Sequence, residues 1–78
     1  MLTASEVVEK YFLDARAMLL ELAALLDRYD RACSQANNSP PEDPRMELLY
    51  QALAVIADRK TNPDRVERLL VMFSDPAE

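Results

Sequence analysis

An unbroken apolar repeat in the first half of the chain constrains the fold more than any other feature. Apolar residues recur at alternating spacings of four and three from Val8 to Cys33 without a miss. This spacing places them along one side of an α-helix. We call this series the main seam; it consists of Val8, Phe12, Ala15, Leu19, Leu22, Leu26, Tyr29 and Cys33. It predicts one long helix over residues 4–36, opened by Thr3 and Glu6 as a capping box.

The same helix carries a second apolar series, which we call the second stripe. It consists of Leu13, Ala17, Leu20 and Ala24 and lies roughly 160° around the helix from the main seam. A helix of about 30 residues spans roughly 45 Å, whereas a compact chain of this length is about 30 Å across. The two shorter helices can cover one side of this helix but not both sides. We therefore expect the second stripe to be an interface with a second copy of the chain. The alternative is that these residues are good helix formers on a solvated surface.

The chain contains no glycine among its 78 residues. Tight hairpins and phosphate-binding loops depend on positive φ angles or close backbone approach, which glycine supplies most readily. Its absence therefore argues against a β-rich fold, a nucleotide-binding loop and a dinucleotide fingerprint.

Proline and its neighbours divide the rest of the chain. Residues 37–43 are polar and contain two prolines, which predicts a loop with Asn37 or Asn38 ending the first helix. Asp43-Pro44 should open a helix over residues 44–60, and Thr61-Asn62-Pro63 a short helix over 63–73. Residues 74–78 should be a frayed tail. We predict an all-α, three-helix unit that forms one domain over residues 1–78 and assembles into a dimeric helical bundle.

Two further apolar faces follow from the spacing in these helices. The face predicted for the second helix consists of Met46, Leu49, Leu53, Ile56 and Ala57, broadened by Leu48, Ala52 and Val55. The face predicted for the third consists of Val66, Leu69, Leu70 and Phe73.

The sequence lacks the residues that most catalytic and metal sites require. Histidine is absent, which removes the commonest general base and the usual zinc ligand. Cys33 is the only cysteine, has no base to activate it, and is expected to be a reduced, partly buried thiol. We assign no catalytic, cofactor-binding or metal-binding residue. Whether an acidic pair binds a metal stays open; the pairs at helical spacing are Glu6/Glu9, Asp27/Asp30 and Asp64/Glu67.

Charge and hydropathy limit the classes of partner. The net charge of −5 argues against binding to nucleic acid or to anionic membranes. No apolar run approaches the roughly 20 residues of a membrane span, and no basic segment of a signal peptide occurs at the start. We predict a cytoplasmic protein that forms a homodimer and offers a surface to a protein partner.

Two functions are compatible with these features. The favoured hypothesis is a non-enzymatic helical module for protein–protein interaction or dimerisation. The alternative is a small helix-turn-helix-like regulator that binds DNA through the third helix with Arg65 and Arg68. Residues 45–68 hold five basic and four acidic side chains, a balance that gives the alternative little electrostatic support.

Overall fold

The computed structural model describes residues 1–35, 42–60 and 62–74. In chain order the helices are α1 (Ala4–Gln35), α2 (Arg45–Ala57) and α3 (Arg65–Phe73). No strand occurs within the described ranges, and the all-α, three-helix prediction is confirmed. The chain divides into two compact units, residues 1–41 and 42–78. The prediction of a single domain stays a prediction.

The start of α1 is fixed by the capping box that the sequence predicts. The backbone N–H of Glu6 donates to Thr3 Oγ1 at 3.1 Å, and the backbone N–H of Thr3 donates to Glu6 Oε1 at 2.8 Å. The backbone N–H of Val7 also donates to the carbonyl of Thr3. Amide groups that a helix start leaves without partners are therefore paired within the first turn.

Helix α1 runs without interruption for 32 residues, because neither glycine nor proline occurs within it. No residue of α1 is buried. Residue 36, the predicted helix end, lies outside the described residues. So do Asn37 and Asn38, most of the predicted loop over 37–43 and most of the predicted tail.

Asp43 and Pro44 open α2 as the sequence predicts. Pro44 already has helical angles, with φ −74° and ψ −4°, and its carbonyl accepts from the backbone N–H of Leu48 at 3.0 Å. Asp43 Oδ1 accepts from the backbone N–H of Arg45 at 3.0 Å. Proline has no N–H to lose at this position, so it suits the first turn.

Helix α2 ends at Ala57, three residues before the predicted end at Lys60. Asp58 has an extended backbone with ψ 111°, and its carboxylate accepts from the backbone N–H of Lys60 at 2.9 Å. Aspartate favours such a local turn, which competes with the helical hydrogen bond. The helix therefore stops at the aspartate.

Helix α3 begins at Arg65, two residues after the predicted start. The backbone N–H of Asp64 donates to the carbonyl of Asn62 at 2.6 Å, so Pro63 lies inside a tight turn and not in the first helical turn. Asp64 then precedes the helix, and its carbonyl accepts from the backbone N–H of Arg68 at 3.0 Å. Thr61 lies outside the described residues.

Helices α2 and α3 form an antiparallel hairpin, which we call the α2–α3 hairpin. Its only buried residue in the described ranges is Ala52, at 3% exposure. A small side chain at this position allows the two backbones to approach closely. The half-buried apolar residues around it are Met46, Leu48, Leu49, Leu53 and Val55 from α2, with Leu69 and Met72 from α3.

The packed faces of the hairpin differ from the predicted ones. On α2, Ile56 and Ala57 are exposed. On α3, Val66, Leu70 and Phe73 are exposed, and the half-buried row is Arg65, Arg68, Leu69 and Met72. This row has helical spacing, and its two arginines replace apolar residues because their long aliphatic stems can cover apolar surface. The predicted face of α3 therefore points largely away from α2.

Candidate interaction surfaces

The second stripe lies on the surface of α1. Leu13 is 73% exposed and Leu20 is 55% exposed, and Ala17 and Ala24 are exposed as well. Helical periodicity brings these four residues to one side of α1, as predicted. The homodimer stays a prediction.

The main seam changes character along α1. In its first half Val8, Phe12 and Leu19 are exposed. In its second half the half-buried residues are Leu22, Leu26, Tyr29 and Cys33. Cys33 is half-buried, as predicted, and its reduced state stays a prediction. The first half of α1 thus exposes large apolar side chains from both series.

The α2–α3 hairpin holds an open, mainly apolar cavity of about 880 Å³. It lies where the start of α2 meets the end of α3, and its lining residues are Arg45, Met46, Leu48, Leu49, Val71, Met72, Phe73 and Ser74. Sequence reasoning missed this cavity. Met46 and Leu49 belong to a predicted face, but Val71 and Met72 do not. The start of α2 meets the end of α3 only because of the way the chain turns at Asp58, which the sequence pattern does not predict.

A bidentate ion pair lies at the rim of this cavity. Arg45 Nη2 donates to Asp43 Oδ2 at 2.6 Å, and Arg45 Nε donates to Asp43 Oδ1 at 3.0 Å. The hydrogen bonds from the side chain and backbone of Arg45 lower the pKa of Asp43 to about 2. Because the Arg45 side chain is 85% exposed, this pair orients the start of α2 more than it stabilises the hairpin.

Arg65 and Arg68, the residues assigned to the DNA-binding alternative, contact the turn between α2 and α3. Arg65 Nη2 donates to the carbonyl of Asp58, and Arg68 Nη1 lies 3.5 Å from Asp58 Oδ2. Both side chains are half-buried. They pair with polar groups at the end of α2 that the helix leaves without partners. The DNA-binding alternative stays a prediction, and this arrangement does not favour it.

The carboxylate of Asp58 organises the same turn. Its pKa is lowered, chiefly because it accepts from the backbone N–H of Lys60 and also because Arg68 and Arg65 lie nearby; partial desolvation acts in the opposite direction. Arg65 Nε is buried without a hydrogen-bond partner in the described part of the chain.

The acidic pairs named above do not belong to larger clusters of metal-binding side chains in the described part of the chain. Within residues 1–35, 42–60 and 62–74, no three histidine, cysteine or acidic residues cluster closely enough to hold a metal ion.

In the described ranges, no helix combines the length and apolar character that a membrane span needs.

Comparisons with protein families, with curated proteins and with solved structures found no match to this chain.

Proposed function

We propose that this protein is a non-enzymatic helical interaction module that self-associates through the second stripe of α1. The observation that supports the proposal is the exposure of Leu13 and Leu20, on the side of α1 opposite the main seam. Leucine side chains on one helical face gain free energy when a second apolar surface covers them. A second copy of the chain offers a face of the same size and shape, and symmetric dimers are the commonest assemblies.

The expected affinity is modest. Leu13 and Leu20 together expose little more than the full surface of one leucine. Covering that surface on dimerisation contributes about 2–4 kcal/mol per chain and about twice that per dimer. Association costs about 4–15 kcal/mol in lost translation and rotation. The two leucines alone therefore offset the cost only at its lower end. We expect a concentration-dependent dimer whose affinity depends on the residues around the stripe.

The alanines of the second stripe provide the sharpest test. Ala17→Glu with Ala24→Glu places charges inside the proposed contact and should reduce the mass measured by light scattering to that of a monomer. Circular dichroism should remain helical, because glutamate is a good helix former. The matched control is Ala4→Glu with Ala15→Glu. It adds the same charge at two exposed alanines on the side of α1 opposite the second stripe, and it should retain the dimer mass.

Two results would contradict the proposal. A parent protein that stays monomeric across a concentration series into the millimolar range would remove self-association. A dimer that survives the Ala17→Glu, Ala24→Glu change would place its interface elsewhere.

We also propose that the module acts in the cytoplasm and recruits a protein partner in addition to its own copy. The single free cysteine suits a reducing compartment, and exposed apolar residues outside α1, at Val66 and Leu70, are available for a partner.

A further inference from the structure

The three-four spacing of the second stripe continues into charged residues at both ends of α1. Lys10 and Glu6 precede Leu13 at spacings of three and four, and Asp27 and Arg31 follow Ala24 in the same way. Helix α1 is continuous from Ala4 to Gln35, so all of these positions belong to one helical face. All four charged residues are exposed, and the Lys10 ammonium lies 5.7 Å from the centre of the Tyr11 ring.

Antiparallel pairing of two such faces matches apolar residues with apolar residues and acids with bases. When Leu13 of one copy faces Ala24 of the other, Ala17 faces Leu20. In this register Lys10 faces Asp27, and Glu6 faces Arg31. Two-fold symmetry repeats each pairing, so opposite charges close both ends of the apolar contact.

The other arrangements are less complementary. In a parallel pair in register, each charged residue faces its own counterpart, so that Lys10 faces Lys10 and Asp27 faces Asp27. Sliding an antiparallel pair by seven residues places Leu20 opposite Lys10, or Leu13 opposite Arg31. Both edges of the favoured arrangement are repulsive, because Asp14 approaches Glu21 on one edge and Glu9 approaches Asp30 on the other.

We infer that α1 pairs with a second copy in antiparallel orientation, with Leu13 opposite Ala24 and with Lys10 and Glu6 opposite Asp27 and Arg31. This inference rests on the self-association proposed above and specifies the geometry of that contact. The partner is a second copy of this chain, selected by charge complementarity.

Charge reversal tests the pairing of Lys10 with Asp27. In the antiparallel arrangement, Asp27→Lys turns two attractive pairs into repulsive ones and should weaken dimerisation on the order of tenfold. Adding Lys10→Glu in the same chain restores opposite charges and should recover the affinity to within about threefold. In a parallel dimer like charges face each other in every variant, so neither change should follow this pattern. Circular dichroism of each variant controls for helix content.

Disulfide trapping tests the orientation directly, in a Cys33→Ser background that removes the native thiol. Chains carrying Leu13→Cys are mixed with chains carrying Ala24→Cys and oxidised. The antiparallel contact predicts a crosslinked dimer from the mixture and none from Ala24→Cys alone, because its two copies would lie far beyond disulfide reach. Crosslinking of Ala24→Cys with itself would overturn the antiparallel inference. A dimer by light scattering that crosslinks in neither sample would overturn it too. A monomer by light scattering would instead refute self-association itself.

Discussion

Replacing Ala52 by leucine tests whether the α2–α3 hairpin depends on a small residue at its centre. Ala52 is 3% exposed, so added side-chain atoms have no route to solvent. Extra methylene groups in a closely packed site force backbone shifts or strained rotamers that cost about 1–3 kcal/mol. At roughly 2.1 cal/mol/K of unfolding entropy per residue, a 78-residue chain should lose about 6–18 °C in Tm.

Thermal unfolding followed by circular dichroism measures this loss. The matched control is Ala54→Leu, which adds the same atoms two residues away at an exposed position of α2. It should change the free energy of unfolding by no more than about 0.5 kcal/mol. Both variants should be compared at one protein concentration, because self-association would raise the apparent stability. An Ala52→Leu protein as stable as the control would show that the helices do not meet closely at Ala52, and the packing argument would fail.

The helix starts lead to two further predictions. Thr3→Ala removes one half of the capping box and should destabilise the first turn of α1 by about 1 kcal/mol. The backbone amides of that turn should then exchange their hydrogens faster. Equal exchange rates in Thr3→Ala and in the control Ser5→Ala would contradict this prediction. The pKa of Asp43 is about 2 in the folded chain and 3.8 in the reference state, so its contribution is complete above about pH 5 and is lost as the pH falls through 2. Asp43→Asn should reduce the loss of helicity that circular dichroism measures as the pH falls over that interval. A loss of helicity equal to that of the parent protein would refute this role.

The helix starts of α1 and α2 were predictable because their causes are local. Thr3 and Glu6 are three residues apart and satisfy each other's backbone groups, so no distant contact is needed to read them. Asp43-Pro44 is similarly self-contained. Helical periodicity alone also places Leu13, Ala17, Leu20 and Ala24 together on α1, and their role as an interface stays a prediction.

The packed side of α3 was not predictable, because its cause is tertiary. Periodicity counts arginine as polar and therefore favours Val66, Leu70 and Phe73 as the buried face. In the structure the carbonyl and carboxylate of Asp58 attract Arg65 and Arg68, which turns their side of the helix toward α2. The cavity beside Phe73 follows from the same rotation, so it was missed for the same reason.

The ends of α2 and α3 explain how a chain without glycine stops its helices. The residues after them, Asp58 and Ser74, have negative φ and extended ψ, and each donates its backbone N–H to a carbonyl three residues earlier, at 3.3 Å. Neither end needs the positive φ for which glycine is usually selected. Side chains complete the caps instead: the Asp58 carboxylate accepts from Lys60, and the Ser74 hydroxyl donates to the carbonyl of Val71. The absence of glycine therefore rules out glycine-dependent loops without preventing sharp helix ends. After α2 the chain turns at Asp58 instead, and the arrangement of the hairpin depends on this residue.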